Sequence, residues 1–535
     1  MTPRLHQHEC CAQLHVADSP FLILGGEIGN STASDARYLS QAMDRCRSMA
    51  INTVLLPVYW DRIEPDPGRF DFSLVQRAIQ LARDRNLRLI YLWFGTWKNG
   101  MSCYAPGWVK RDQSVFFRAR TRSGAALEVI SPACSAAADA DAAALSALLR
   151  FTQQLDPKWE TVIMVQIENE IGLMPEPLDC CRQSLAAYES AAPPEIAQAL
   201  RQERLGPELQ NLWQQAGAVA EGCWKDLFGV SRQGQEVFTA WQFARYVQRV
   251  ASAARDVCPV PFFTNAALIR PGYSPGDYPA GGPLPHLMEL WKLAAPAVNL
   301  LCPDIYFPCF EDWCRAYRRP NNPLFVPEMA ASTRAPANAV LAIGQYAAIG
   351  AAPFAVEDLA FDRRQQIGAT FQALWALREP ILDAQRHGRI AAVTPRIDFD
   401  WNVDPNPVAA ELGGVRLTAR FVASSTGPEI PPAELPTLGP GRWETPPGVP
   451  LGAALIIHTA ELEFLILGSG CTITFSDAGG RQTAGLESVR EYELDSAGQW
   501  NPARWLNGDQ THQGRHVQFP PERWSLQRVV LYRYE

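Results

Sequence analysis

Eight short apolar runs recur through roughly the first 390 residues, each followed by a stretch of helical character. They are FLILGG (21–26), TVLLPV (53–58), LRLIYLWF (87–94), TVIMVQI (161–167), VPFFTN (260–265), VNLLCPDIY (298–306), PLFVPE (323–328) and PFAVED (353–358). A helical pattern, SLVQRAIQLARDRN, separates the second run from the third. Runs that stay apolar instead of alternating suit strands buried on both faces, hence a parallel sheet covered by helices. Eight such units match a closed (β/α)8 TIM barrel, whereas an open doubly wound sheet requires no particular number. GGEIGN, after the first run, is not the G-x-G-x-x-G of a dinucleotide fold.

The chain has 535 residues, more than one ordinary core accommodates, so two or more domains are expected. The barrel is assigned to residues 1–390. The segment from about 173 to 259 is too long for one crossover, and carries the helical pattern WQFARYVQRVASAARD. It reads as a helical insertion packed beside the barrel mouth. Beyond residue 390 the texture changes to Gly- and Pro-rich turns between short strands: GVRLTARFVAS, AALIIHTA, EFLILGS, CTITFSD and RVVLYRY. Residues 391–535 therefore read as an all-β, sandwich-like domain that braces the barrel, with SSTGPEIPPAELPTLGPGRWETPPG as a surface loop.

Hydrophobic residues at 47% and charged residues at 19% describe a globular chain with ample core. A net charge of −8, with no Lys/Arg runs, argues against nucleic-acid binding. No apolar run approaches the ~20 residues of a membrane span, and MTPRLHQHECC lacks an apolar h-region. The literal expectation is a cytoplasmic protein, or a periplasmic or secreted one if an export signal has been removed. The 13 cysteines are odd in number and many lie in apolar segments, so buried free thiols are expected. Neither Cys302, Cys309 and Cys314 nor the pair His512 and His516 has the spacing and context of a zinc site. His6, His8 and Cys10 are read as part of a disordered terminus. No cofactor motif, P-loop or G-x-S-x-G elbow is present.

Catalytic groups of such barrels sit at the C-terminal ends of strands. The acidic residues there are Glu27, Glu64, Glu168, Glu170, Asp304, Glu328, Glu357 and Asp358. Two carboxyl groups flanking one bond are what glycoside hydrolysis needs. Glu168 and Glu170 stand two apart on one strand and should point the same way, so they cannot straddle a sugar. Glu170, nearer the mouth, is paired with Glu328 at the end of the seventh run, and Glu168 is expected to support Glu170 by hydrogen bonds.

The order of these motifs resembles clan A glycosidases, with Asn-Glu ending strand four and Glu ending strand seven. More narrowly, QIENEIG and NTVLLPVYWDRIEPDPGRFDF resemble glycoside hydrolase family 35, the β-galactosidases. LWFGTWKNG, YPAGGPLPH, CPDIYFP and NGDQTHQGRH resemble a bacterial branch with a small C-terminal β-domain. The resemblance implies Glu170 as general acid/base, Glu328 as nucleophile, Asn169 as the amide on the substrate 2-hydroxyl, and Tyr306 as the tyrosine touching the nucleophile. It also implies retention by double displacement.

Two departures stand out. Gly95-Thr96-Trp97, followed by Lys98-Asn99, occupies the place of an Asn-Ala-Glu triplet that recognises galactose, and Pro327-Glu328-Met329 replaces Glu-Phe-Trp. Glu64, Trp97, Lys98 and Glu27 join the candidate substrate-binding residues. Each has a plainer alternative: a turn-flanking acid or ion-pair partner for Glu64, core for Trp97, a loop lysine for Lys98 and a structural acid for Glu27. Glu357 reads the same way as Glu27, and Trp93 reads as core. The expected activity is exo-acting removal of terminal β-galactosyl residues from oligosaccharides or plant cell-wall glycans, with no metal and no cofactor. A β-glucosidase or other exo-β-glycosidase of the clan, and a catalytically silent glycan-binding protein, stay open.

Overall fold

The computed structural model describes residues 2–422, 444–521 and 523–535. Eight parallel strands close into a barrel and follow one another around it in chain order. They are β1 (Ile23–Glu27), β2 (Thr53–Tyr59), β3 (Arg88–Lys98), β4 (Val162–Asn169), β5 (Phe262–Ala267), β6 (Leu300–Ile305), β7 (Val326–Met329) and β8 (Gly350–Pro353). Every residue of β2 and β4 is buried, which is why their sequences run apolar without alternation. The closed barrel followed by an all-β region is the expected fold. Internal contacts divide the chain into two units, one comprising Met1–Arg4, Asn30–Ser40 and Leu55–Asp304, the other Leu5–Gly29, Gln41–Val54 and Ile305–Glu535.

In the first unit, β3 runs four residues past the end its apolar run suggested, through Gly95 to Lys98, and its pairing with β4 shifts register between Trp93 and Lys98. Helix α1 (Ser135–Leu155) packs against helix α2 (Arg232–Arg255). Ser231 starts α2 by accepting a hydrogen bond from Gly234 N at 3.1 Å, and Arg255 in its last turn suits the negative helix end. The segment expected as one insertion thus divides. Its second part, α2, packs against β4 and precedes β5 as the crossover helix of the barrel. Four short helices, Arg182–Glu189, Pro194–Arg201, Pro207–Gln215 and Trp224–Phe228, form the rest. Leu173, just past the C-terminal end of β4, exchanges backbone hydrogen bonds of 2.9 and 3.0 Å with Ala280 beyond β5.

In the second unit, the eighth strand is GAAP, not the PFAVED beside it. The chain turns at Ala355, whose φ is +50°, and Val356–Asp358 is a 3-10 turn. Small residues are required there: a Cβ on Gly350 would lie 2.5 Å from the carbonyl oxygen of Ile23 on β1. The terminus read as disordered is instead a three-stranded sheet of Arg4–Gln7, Ala12–Val16 and Ser19–Phe21. The rings of His6, His8 and His15 gather there, 4.5–6.1 Å between centroids.

From Ile390 onward the strands form two sheets. The six-stranded sheet runs Ile390–Val393, Ala453–Ala460, Glu463–Ser469, Ser525–Tyr534, Thr483–Leu494, Trp500–Leu506, and the four-stranded one Val408–Leu412, Val415–Phe421, Cys471–Asp477, Val517–Phe519. Leu417 and Ile473 of the smaller sheet share one buried core with Ile456, Phe464 and Val529 of the larger. The helix Ala335–Gln345, which follows β7, carries this sandwich. Gln345 Oε1 accepts from Ala392 N at 3.2 Å, and a Cβ on Gly344 would lie 2.7 Å from that of Ala392. Most of the expected surface loop, residues 424–443, falls outside the described residues. All 13 cysteines are free. Among the described residues no helix is long and apolar enough to cross a membrane.

Gly350→Ala should test the close approach of β8 to β1. The overlap with Ile23 backbone cannot be relieved by a rotamer change, so urea unfolding should report a loss on the order of 1–3 kcal/mol.

Candidate active site

The acidic motif at the end of β4 is not extended strand. Glu168 and Glu170 both have left-handed backbone, with φ of +60° and +44°, on either side of Asn169. Such non-glycine conformations cost roughly 1–3 kcal/mol each and persist where surrounding contacts enforce them. They overturn the expectation that the two carboxylates point alike, because the alternation rule holds only for extended backbone.

Glu168 is fully buried and accepts hydrogen bonds from Trp97 N at 2.7 Å and Thr96 N at 3.1 Å. Those bonds run to β3 rather than to Glu170, so the expected direct support of Glu170 is replaced by anchorage of the neighbouring strand. The Asp141 carboxyl from α1 joins it, accepting from Trp93 Nε1 (2.8 Å), Thr96 Oγ1 (2.8 Å) and Thr96 N (3.1 Å). Burial first, and the adjacent Asp141 carboxylate second, push the Glu168 carboxyl well above its usual range, against the opposing pull of the two N–H groups.

The residues that follow Trp97 reach the end of β4. Lys98 Nζ donates to Asn169 Oδ1 at 2.8 Å, Asn99 N to the Asn169 carbonyl at 3.1 Å, and Asn99 Nδ2 to Glu170 Oε2. Glu170 N donates to Asn265 Oδ1 at 2.9 Å, and Asn265 Nδ2 to Asp304 Oδ2 at 2.5 Å, which links the ends of β4, β5 and β6. Glu170 is 4% exposed and Asn169 0%. The Asn169 Nδ2 group has no hydrogen-bond partner among the described residues.

In the second unit, Glu328 lies on β7 and is 3% exposed. Its Oε1 accepts from the Tyr306 hydroxyl, while its Oε2 has no hydrogen-bond partner among the described residues. Glu27 ends β1 at 1% exposure, and Glu357 Oε1 accepts from Gly29 N at 2.8 Å.

Two candidates take structural positions. Trp97 is fully buried: its Nε1 donates to the Ile130 carbonyl at 3.0 Å and its ring packs on Phe243 and Tyr246, leaving no face for a sugar. The strand continues through Gly95, so the indole points into the core and not from a loop. Glu64 closes a turn, accepting from Trp60 Nε1 at 3.0 Å and Gly68 N at 2.8 Å. Lys98, expected on a loop, is 5% exposed on β3 and faces Asn169.

Sequence reasoning missed Asn99, Asn265 and Asp141. Asn265 ends its strand as Asn169 does, a signal within reach. Asp141 had a subtler one: Ala137, Asp141, Leu145 and Leu148 follow helical spacing, which places an acid on the buried stripe of α1.

A family described as a domain of unknown function, DUF5597, matches residues 367–518. No curated protein matches the chain in sequence. Solved structures similar to it include a β-galactosidase from Rahnella sp. R3, at 13% identity and a TM-score of 0.47, over 68% of this chain and 57% of that one. A β-galactosidase from the psychrophilic Marinomonas ef1 is similar at 12% identity and 0.48, over 70% and 62%. A catalytic mutant of a GH42 β-galactosidase from G. stearothermophilus is similar at 13% and 0.47, over 67% and 57%. The chain thus spans 57–62% of the length of these proteins.

Removing the Glu64 carboxylate leaves the buried Trp60 Nε1 without an acceptor and releases the exposed Gly68 N. Glu64→Ala should therefore lower stability by roughly 1–3 kcal/mol in urea unfolding. Unchanged stability would return Glu64 to a substrate-contacting role.

Proposed function

We propose that the protein is a retaining, exo-acting glycoside hydrolase of clan A that removes terminal β-galactosyl residues from oligosaccharides or plant cell-wall glycans. The observation that carries this reading is Glu328, a buried carboxylate at a barrel strand end, bonded by Tyr306 on one oxygen and without a hydrogen-bond partner among the described residues on the other. A nucleophile needs that arrangement: one oxygen steadied, the other available to the anomeric carbon.

Glu170 is the acid/base. In the first step it protonates the leaving oxygen while Glu328 Oε2 attacks the anomeric carbon. In the second it deprotonates the water that releases the sugar. The reading requires the two carboxyl groups ~5–5.5 Å apart. Asn99, donating to Glu170 Oε2, orients that carboxyl. Asn169 has its oxygen engaged by Lys98 and its Nδ2 without a partner among the described residues, which suits it to donate to a sugar 2-hydroxyl. The finer placement in family 35 rests on sequence motifs alone, whereas one of the similar structures is a GH42 enzyme. The preference for galactose also rests on those motifs, and a β-glucosidase would use the same machinery.

The test is nitrophenol release from aryl β-galactoside and aryl β-glucoside by the wild type, Glu328→Ala and Glu170→Ala, with unfolding midpoints measured alongside. Turnover of the galactoside should vanish in Glu328→Ala. With an unactivated disaccharide, Glu170→Ala should lose about 10²–10⁴-fold. The first-formed product should keep the β configuration by NMR. Turnover of glucoside alone would keep the mechanism and change the sugar. No turnover by a folded wild type of any β-glycoside would leave the glycan-binding protein.

A further inference from the structure

Beneath the strand end that carries Glu170 lie two carboxyl groups that the mechanism does not use. Asp141 on α1 and Glu168 on β4 are both 0% exposed. A single N–H, that of Thr96, stands 3.1 Å from Asp141 Oδ2 and 3.1 Å from Glu168 Oε1. A Cβ on Gly95 would meet the same two oxygens at 2.7 and 2.8 Å, so they are neighbours. Among the described residues the hydrogen-bond donors that reach the pair are all neutral: Trp93 Nε1, Thr96 N, Thr96 Oγ1 and Trp97 N. Thr96 Oγ1, spending its proton on Asp141, accepts in turn from the Tyr246 hydroxyl at 2.6 Å.

Two ionised carboxylates cannot share such a site, since like charges in contact, out of water, raise the affinity of one for a proton. A proton bridging the two oxygens replaces the repulsion with a hydrogen bond and leaves one negative charge for the four donors.

We propose that Asp141 and Glu168 hold one proton between them, and that this protonated pair positions the acid/base end of the site through Thr96 and Trp97. The second half rests on the function proposed above. The pair grips two consecutive N–H groups of β3, and the next two residues, Lys98 and Asn99, are those that touch Asn169 and Glu170. Because Glu168 itself belongs to β4, one proton ties both strand ends together immediately below Asn169. Asp141 and Glu168 are positioning residues, since neither bonds to Glu170.

The proton has a thermodynamic signature. The unfolded chain releases it in the ordinary carboxyl range, about pH 4, whereas the folded protein retains it to a higher pH. Between those values the folded state binds one more proton than the unfolded state, so this site's contribution is full below the unfolded value and declines as pH rises through the window.

Glu168→Gln places a neutral amide where the protonated acid stands. Its oxygen can accept from Trp97 N, and its NH₂ can donate to Asp141. Urea unfolding of the full chain, wild type against Glu168→Gln, from pH 5 to pH 8 decides the first half. The folded-to-unfolded ratio of Glu168→Gln relative to wild type should grow by up to about tenfold per pH unit, the limit for one proton. A ratio flat across that range overturns the shared proton.

Turnover of the aryl glycoside decides the second half. Glu168→Ala should lower kcat by up to about 10²-fold with little change in KM, as expected for a displaced catalytic group. Glu168→Gln should recover most of that loss and move the alkaline limb of the kcat profile upward. Equal losses in the two variants, or an unmoved alkaline limb, would make the pair merely structural. A folded wild type that turns over no glycoside removes the positioning half together with the proposed function, while the unfolding comparison still decides the proton.

Discussion

Two neighbouring buried carboxyl groups, with only neutral donors around them among the described residues, set the terms for the end of the barrel where chemistry is expected. Asp141 and Glu168 occupy the space that a side chain at residue 95 would need, so that position is glycine. Their oxygens take the N–H groups of Thr96 and Trp97, which would otherwise seek partners along the sheet. The β3–β4 register shift between Trp93 and Lys98 follows from that diversion. Once the strand has been redirected, Lys98 is drawn below the surface and meets Asn169, while Asn99 meets Glu170. A loop lysine in the sequence becomes a buried hydrogen-bond donor by this route.

The left-handed backbone at Glu168 and Glu170 belongs to the same construction. In a free peptide it would be a minor conformer, about 1–2 kcal/mol above the right-handed one, because Cβ crowds the following carbonyl. Here the Glu168 side chain is held by β3, and Glu170 N is held by Asn265, which is in turn held to Asp304. Side chains on successive strands thereby enforce a conformation that aims consecutive residues in directions an extended strand cannot reach. Such strain, paid for by neighbouring contacts, is a common property of sites that do chemistry.

The sandwich beyond Ile390 is tied to the chain that follows β7. Its first strand lies against the helix that follows β7, and Arg334, just before that helix, donates to the Pro450 carbonyl at 2.5 Å. Buried fully and lacking a carboxylate in that bond, the Arg334 guanidinium has its pKa lowered to about 10 by desolvation. These contacts join the elements downstream of Glu328 to the two-sheet core. The family match over residues 367–518 covers most of this region and the helices before it.

The barrel was legible in the sequence because burial on both faces leaves a signature that needs no partner to be read: seven of the eight strands overlap their apolar runs substantially. The eighth, GAAP, escaped because its identity is set by a neighbour, Ile23, that leaves room for little besides glycine and alanine. Glu328 and Glu170 could be picked out as strand-end acids, since position along a strand is a one-dimensional property. What their neighbours do is not. Whether Trp97 faces sugar or core, whether Glu168 supports its own strand or the next, and whether Asp141 is a surface charge or a buried acid all depend on which oxygens and N–H groups converge from residues tens of positions apart. A chain encodes which groups must be satisfied, and only the packed structure decides which of them satisfy one another.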